Sequence, residues 1–208
     1  MNRINYEKIE QYIRDDNILG KGKEVTVYDY GDSVIKIFSN NRTSPYKLIS
    51  INGIEKLSEL PLKYFNKPQD LIIRDGIVIG YSENKLIESE LNPNEIDYEG
   101  IKEDIITLSD NGFKIQDLYY NYIIHNNHFY FIDLTSYMYV PTEEEFLKKS
   151  FYNNNIKEMN IFLIGYLHFN AFQDKNDGYE FTKIYRANEY RLKNCSDSFY
   201  GDIKKQTL

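Results

Sequence analysis

The segment IQDLYYNYIIHNNHFYFIDLTSY, residues 115–137, carries three side chains whose oxygen atoms could bind a metal ion. Asp117 and Asp133 bracket an apolar and aromatic stretch, and Asn121 follows the first aspartate. A short turn at residues 126–127 predicts a hairpin that brings Asn121 and Asp133 to the same end. Carboxylate and amide oxygens suit Mg²⁺ bound partly through nucleotide phosphates. The alternative is a hairpin with solvated acidic ends, because Asp and Asn are common turn residues.

A lysine, Lys36, lies within the apolar stretch SVIKIF. In a strand Lys36 shares a face with Val34 and Phe38, while Ile35 and Ile37 take the other face. Lysine is rarely buried without a partner, so this position is unusual. The alternative is a lysine on an edge strand, whose ammonium group reaches water along the apolar surface.

Two glycines, Gly20 and Gly22, lie just upstream in LGKGKEVTVY, between two strand signals. Glycines allow backbone N–H groups to approach a phosphate closely, although an isolated G-x-G is usually a turn. Here the glycines precede strands that carry an inward lysine. The combination predicts a phosphate-binding turn whose ligand is neutralised by Lys36.

Several elements must position these residues. Periodicity and turn signals predict an N-terminal helix, three strands, a second helix, a hairpin around Asp75-Gly76, a third helix, the hairpin described above, and three more helices, the first of them opened by a Thr142–Glu145 capping box. In order, these elements cover residues 5–14, 17–38, 46–60, 70–81, 97–111, 121–133, a start at 142, 154–169 and 179–193. We expect an α+β fold with a β-rich domain at 1–82 and a mainly helical domain at 83–208.

Composition limits the possible partners and locations. The chain has 208 residues and a net charge of -7, which argues against nucleic acid as a partner because such binding relies on basic side chains. The sequence contains no run of 18 apolar residues, so we expect no membrane span. The single cysteine, Cys195, rules out an internal disulfide framework. We therefore expect a cytoplasmic protein with no membrane partner; no pattern indicates an oligomeric state.

The order of these motifs resembles the protein-kinase-like superfamily over roughly residues 15–137. GKGKEVTV is similar to its glycine-rich loop, Lys36 to its strand lysine, IGYSEN to its hinge, IQDLYYN to its catalytic loop and FIDL to its metal-binding D-F-G motif. The resemblance implies a two-lobed fold, with an N-terminal antiparallel sheet and one helix followed by a reduced, mainly α-helical C-terminal lobe.

The resemblance also implies roles in binding ATP. Lys36 would contact the α- and β-phosphates beneath the glycine turn, and the hinge backbone at Tyr81 would bind the adenine. A helix glutamate would hold Lys36 in place, with Glu55 as the first candidate and Glu59 as the second.

Three residues would act on the transferred phosphate. Asp117 would orient the attacking hydroxyl or accept its proton, while Asn121 and Asp133 would hold Mg²⁺. The implied function is an ATP- and Mg²⁺-dependent phosphotransferase that acts on a hydroxyl acceptor, which we expect to be a Ser or Thr of a protein.

Departures from the motifs keep other functions open. Val25 replaces the third glycine, Ile115 and Gln116 replace the residues before the catalytic aspartate, and no A-P-E motif follows. These departures favour a pseudokinase that acts as a nucleotide-binding or interaction module. Gln116 stands where the family's H-R-D motif has arginine. FIDL together with this missing arginine also resembles the aminoglycoside and choline phosphotransferases, which suggests a small-molecule acceptor. A third alternative is an α+β domain without a nucleotide site.

Overall fold

The structure, a computed structural model, describes residues 1–22, 24–39, 49–116, 118–119, 121–169 and 183. Within these residues it has an α+β fold with one six-stranded mixed sheet, two small two-stranded sheets and three α-helices. The strands are β1 Asn2–Asn5, β2 Ile18–Lys21, β3 Val25–Tyr30, β4 Ser33–Phe38, β5 Asp70–Arg74, β6 Ile77–Asn84, β7 Phe113–Lys114, β8 Tyr122–His125, β9 His128–Phe131 and β10 Met138–Tyr139. The helices are α1 Ile51–Glu59, α2 Tyr98–Asp110 and α3 Glu145–Phe169.

The large sheet has the strand order β1-β5-β6-β4-β3-β2. All neighbouring pairs are antiparallel except β1 and β5, which run parallel. Strand β4 therefore lies in the interior of the sheet, between β6 and β3. One face of the sheet contributes Val25, Phe38 and Tyr81 to the main apolar core, and the other contributes Ile35 and Ile72 to a smaller one.

The predicted N-terminal helix over residues 5–14 is wrong. Two short 3₁₀ turns occupy Tyr6–Lys8 and Glu10–Tyr12, and the residues before them form β1 along the edge of β5. Ile9 is buried in the smaller core. The rings of Tyr12 and Tyr30 pack edge to face, with their centroids 4.8 Å apart. Apolar residues spaced by three or four fit a 3₁₀ turn as well as an α-helix, which explains the error.

Both predicted hairpins are confirmed. Asp75 and Gly76 have φ values of 52° and 76°, and Asn126 and Asn127 have φ values of 47° and 65°. Two consecutive residues with positive φ are typical of the type I′ turn, whose twist matches that of the flanking strands. These turns join β5 to β6 and β8 to β9.

Helices α1 and α2 lie within the predicted ranges, and each begins at a capping side chain. The Ser50 hydroxyl accepts a hydrogen bond from Gly53 N at 3.1 Å, and the Asp97 carboxylate accepts one from Gly100 N at 2.9 Å. The predicted first turn of α1, residues 46–48, lies outside the described residues.

The helices predicted to start at residue 142 and to cover residues 154–169 form one continuous helix, α3. The last predicted helix, residues 179–193, lies outside the described residues apart from Lys183. The Thr142 hydroxyl accepts a hydrogen bond from Glu144 N at 3.0 Å, so it supports the turn before the helix and does not form the predicted capping box with Glu145. The Asn-rich stretch at residues 153–155 lies within this helix. It stays helical because Asn155 finds buried hydrogen-bond partners on other elements.

The connecting segment, residues 60–69, ties α1 to the rest of the molecule. Backbone N–H groups of Lys63 and Tyr64 donate to the buried carboxylate of Asp104 on α2, at 2.7 to 3.0 Å. Phe131 N donates to Tyr64 O, and Asn66 N donates to Phe131 O, both at 2.8 Å. The connecting segment therefore positions β9, the strand that leads to Asp133, against α2.

One apolar core runs from the large sheet to the helices and the β8–β9 hairpin. It includes Tyr81 from the sheet, Leu108 from α2, Phe131 from β9 and Phe162 from α3. Strand β6 continues to Asn84, and the division into domains at 1–82 and 83–208 stays a prediction. No α-helix among the described residues has the length and apolar character needed to cross a membrane.

We expect Gly80→Ala to destabilise the sheet. A Cβ atom at Gly80 would lie 2.1 Å from the carbonyl oxygen of Lys36, so β6 could stay beside β4 only if the backbone moved. Such overpacking costs about 1–3 kcal/mol in the free energy of unfolding, measurable by urea denaturation. Gly20→Ala is the matched control, since its Cβ would meet no atom within 4 Å. An equal loss of stability in both variants would contradict the close approach of β6 to β4.

A second prediction concerns Asp97, which accepts hydrogen bonds from Lys63 Nζ at 2.7 Å and from the Tyr64 hydroxyl at 2.6 Å. These bonds hold the pKa of the Asp97 carboxyl well below its ordinary value of 3.8. Its contribution to stability is therefore full above pH 3.8 and is lost as the pH falls towards the folded-state pKa.

We expect Asp97→Asn to lower the free energy of unfolding at neutral pH, and we expect the difference from the wild type to shrink as the pH falls below about 4. Urea denaturation at several pH values measures it. Asp16→Asn, which breaks an exposed ion pair with Arg14, should change little at any pH. A difference at Asp97 that grew on acidification would contradict the assignment.

Candidate functional site

Lys36 lies in the middle of the large sheet on the face that meets the main core. It is 5% exposed. Its neighbours across the sheet are Val27 on β3 and Tyr81 on β6. The predicted faces are confirmed, because Phe38 packs in the main core while Ile35 and Ile37 pack on the other side. An interior strand excludes the alternative of an edge lysine that reaches water.

The partner of Lys36 is Glu83 on the neighbouring strand. The Lys36 Nζ atom lies 2.9 Å from Glu83 Oε2, and Glu83 is 1% exposed. Tyr81 is directly opposite Lys36 in the ladder, so Glu83, two residues further along β6, shares its face and lies diagonally across from Lys36. Long side chains span this diagonal easily.

The expected pairing of Lys36 with Glu55 is wrong. Glu55 lies on α1 with its side chain 38% exposed, and its Oε1 atom is 3.5 Å from Arg3 Nη2 on β1. Sequence reasoning missed Glu83, although the alternation along IGYSEN places Tyr81 and Glu83 on one face. The missing information was the strand order, which sets β6 beside β4.

Glu83 is itself held in place by the connecting segment. The side-chain amide of Asn66 donates to Asn84 O at 2.9 Å and approaches Glu83 Oε2 at 3.4 Å. The other carboxylate oxygen, Glu83 Oε1, is buried and accepts no hydrogen bond from any described residue. A buried carboxylate oxygen without a donor is costly.

Tyr81 lies beneath the ion pair. Its side chain is fully buried, and Lys36 Nζ is 5.6 Å from the centre of its ring. Burial raises the pKa of the Tyr81 hydroxyl, so it stays protonated. In the sheet Tyr81 pairs with Lys36 on one side and Leu71 on the other. Its role as a hinge residue that binds adenine through its backbone stays a prediction.

The predicted glycine turn joins β2 to β3. Gly20 is opposite Val27, Gly22 N donates to Val25 O at 2.8 Å, and Lys23 lies outside the described residues. The pairing register shifts between Ile18 and Gly20, which marks a bulge in β2. Val27 also pairs with Lys36, so β3 links the glycine turn directly to the lysine. Phosphate binding by this turn stays a prediction.

Asn121 and Asp133 lie at the same end of the β8–β9 hairpin, as predicted. Ile132 N donates to Asn121 O at 2.8 Å, which extends the ladder by one residue beyond Tyr122 and Phe131. Asp133 follows directly, with a φ of 58° in the left-handed region. This conformation is uncommon for a residue with a side chain, although Asp tolerates it better than most. The Thr135 hydroxyl donates to Asp133 Oδ1 at 3.1 Å.

Lys36, Glu83 and Asp133 form one electrostatic cluster. Burial alone would lower the pKa of the Lys36 ammonium, but Glu83, Tyr81 and Asp133 outweigh burial and raise it, so the lysine stays charged. Burial also raises the pKa of the Glu83 carboxyl; Lys36 opposes that rise and Asp133 adds to it.

Asp117, the predicted catalytic residue, lies outside the described residues, but its flanking backbone is described. The buried side chain of Asn155 on α3 accepts a hydrogen bond from Ile115 N at 2.7 Å and donates to Phe113 O at 2.9 Å. The Ser136 hydroxyl donates to Gln116 O at 3.3 Å. The chain entering Asp117 is thus fixed from two sides. Sequence reasoning missed Asn155, because it is one of three consecutive asparagines and nothing in the pattern distinguishes it from the other two.

The described residues contain no group of three His, Cys, Asp or Glu side chains that could hold a metal ion. The predicted Mg²⁺ site does not depend on such a group. It combines one carboxylate, Asp133, with the amide oxygen of Asn121 and with phosphate oxygens of a nucleotide. Mg²⁺ usually binds proteins in this manner, through few side chains and its substrate.

We expect Lys36→Met and Glu83→Gln each to lower the free energy of unfolding by about 3–5 kcal/mol, because each leaves one buried ionisable group without its partner. The double variant should lose less free energy of unfolding than the two single variants lose together, and the difference, the coupling energy, should be about 1–3 kcal/mol. Urea denaturation measures all three. Asp29→Asn, which breaks the half-buried Lys85–Asp29 pair at 2.6 Å, is the control and should cost less. Additive losses would contradict a direct Lys36–Glu83 interaction.

Comparison with models of known protein families gave no match, and a search of curated proteins found no relative. The basis for inferring function is therefore the arrangement of Lys36, Glu83 and Asp133.

Proposed function

We propose that this chain is an ATP- and Mg²⁺-dependent phosphotransferase with a two-lobed, protein-kinase-like arrangement. The observation that carries the proposal is the cluster of Lys36, Glu83 and Asp133. Lys36 comes from the interior of the N-terminal sheet, and Asp133 comes from the end of a hairpin almost a hundred residues later. Asp133 raises the pKa of Lys36 together with Glu83, and Leu134, which follows Asp133, packs in the same apolar core as Tyr81.

Different residues of the chain would bind the phosphates and the Mg²⁺ ion of the nucleotide. The Lys36 ammonium would neutralise the α- and β-phosphates beneath the glycine turn at Gly20 and Gly22. The Gly22 N–H would not be a phosphate donor, because it donates to Val25 O within the turn. Asp133 and Asn121, at one end of their hairpin, fit the oxygen ligands of Mg²⁺. When bound, the ion would neutralise charge on the phosphate oxygens.

The transfer step requires a base next to the acceptor. The acceptor hydroxyl oxygen forms a bond to the γ-phosphorus, the bond from that phosphorus to the β–γ bridging oxygen breaks, and ADP leaves. Asp117 would accept the hydroxyl proton. The anchoring of Ile115 and Gln116 by Asn155 and Ser136 supports a fixed position for the chain entering Asp117, and positioning supplies much of the rate in such reactions.

The proposed acceptor is a Ser or Thr hydroxyl of a protein. One feature favours the alternative of a nucleotide-binding module without transfer, the pseudokinase. A 3₁₀ turn at Leu134–Ser136 and the short strand β10 follow Asp133, and α3 begins at Glu145. Only 11 residues (134–144) separate Asp133 from α3, which leaves little chain to hold a peptide acceptor.

Nucleotide binding tests the proposal most directly. We expect ATP with Mg²⁺, at about a hundred times its dissociation constant, to raise the melting temperature by about 5–10 °C, because a ligand that binds only the folded state stabilises it. Asp133→Asn should remove the Mg²⁺-dependent part of this rise. Asp16→Asn, a substitution of an exposed aspartate, is the matched control and should retain the full rise.

Phosphate transfer separates the alternatives. Transfer from γ-labelled ATP to a protein or a small alcohol, abolished by Asp117→Ala, identifies an enzyme, and the labelled product identifies the acceptor class. Binding of ATP without transfer identifies the pseudokinase. A wild-type protein whose melting temperature is unchanged by ATP and Mg²⁺ refutes the proposed function.

A further inference from the structure

We propose that Glu83 is the positioning residue for the Lys36 ammonium, and that the large sheet by itself sets the position of this lysine, independently of α1. The inference rests on the proposed function for its effect on nucleotide binding. Its structural part concerns the protein without nucleotide.

The geometry of the sheet carries the first step. Lys36 and Glu83 lie on adjacent, antiparallel interior strands, and their charged atoms are 2.9 Å apart with both side chains buried. Strand pairing fixes the distance between their backbones through a ladder of hydrogen bonds. The side chains therefore meet wherever β4 and β6 are paired.

The support behind Glu83 carries the second step. Asn66 donates to the neighbouring carbonyl of Asn84 and approaches the same Glu83 oxygen that Lys36 contacts. Asn66 is in turn tied to β9 through Phe131 O. The same strand leads to Asp133, so one chain of contacts fixes Glu83 and the approach to Asp133 together.

The surroundings of α1 carry the third step. Its one acidic side chain with a described ion pair, Glu55, contacts Arg3 on β1, at the opposite edge of the sheet from the glycine turn. A partner on α1 would make the position of Lys36 depend on how a separate helix packs. A partner on β6 removes that dependence, so the site is assembled whenever the sheet is folded.

The closing experiment observes Lys36 directly. In a lysine-labelled protein, the ¹⁵Nζ–¹H NMR signal of a buried, paired ammonium is visible because its protons exchange slowly with water. Lys36→Met identifies the signal by its loss. We expect Glu83→Gln to broaden or shift it and Glu55→Gln to leave it unchanged. Asp29→Asn, which breaks another pair on the same sheet, is the matched control and should also leave it unchanged.

ATP affinity is measured on the same variants with Mg²⁺. We expect Glu83→Gln to weaken binding by about tenfold or more, as is usual when the partner that orients a binding group is lost. Glu83→Asp keeps the charge on a side chain shorter by one methylene, and should give an intermediate affinity and a shifted Lys36 signal. If Glu83→Gln does not fold, Glu83→Asp supplies both measurements.

The outcomes separate the two proposals. An unchanged Lys36 signal in the Glu83 variants, or its loss in Glu55→Gln, overturns the positioning role. A changed signal in a wild type that binds no ATP supports the positioning role and refutes the proposed function. A changed signal together with unaltered ATP affinity overturns the role of Glu83 in nucleotide binding.

Discussion

The buried ion pair between Lys36 and Glu83 is the constraint on which the rest of the structure depends. Moving two charges out of water costs several kcal/mol for each ion, and the cost is offset only when the charges meet at close range and their remaining atoms find partners. The large sheet meets the first condition by placing β6 beside β4. Asn66 meets part of the second, and Glu83 Oε1 is left without a donor among the described residues.

The elements around this pair are held in position by hydrogen bonds to polar side chains. The connecting segment is fixed to α2 by two carboxylates, Asp97 and Asp104, and its backbone pairs with β9. Through that pairing it aligns the end of the β8–β9 hairpin, where Asn121 and Asp133 lie. Asn155 of α3 accepts a hydrogen bond from Ile115 N and so fixes the backbone that leads to Asp117. Polar side chains buried at the junctions between elements thus set the relative positions of groups that are distant in sequence.

Much of the local structure could be predicted from the sequence. Alternation along SVIKIF correctly assigned the face of Lys36, and the Asp-Gly and Asn-Asn dipeptides correctly located two hairpin turns. The ends of the second hairpin, Asn121 and Asp133, were expected together and lie together. The prediction for the N-terminal segment was wrong because its apolar spacing suits two kinds of helix. The helix at residues 145–169 was predicted as two, because the Thr142–Glu145 pair and the apolar residues after 154 gave separate signals.

The sequence by itself determined the strands, the turns and which side chains share a face, because these depend on backbone preferences and on the two-residue period of a strand. Only the tertiary structure decided that Glu83, and not Glu55, pairs with Lys36, that the N-terminus adds a strand to β5, and that Asn155 is satisfied inside the core. Each of these depends on which elements become neighbours. That choice is made by the packing of the whole chain, since residues far apart in sequence must bury their apolar faces and pair their buried polar atoms at the same time.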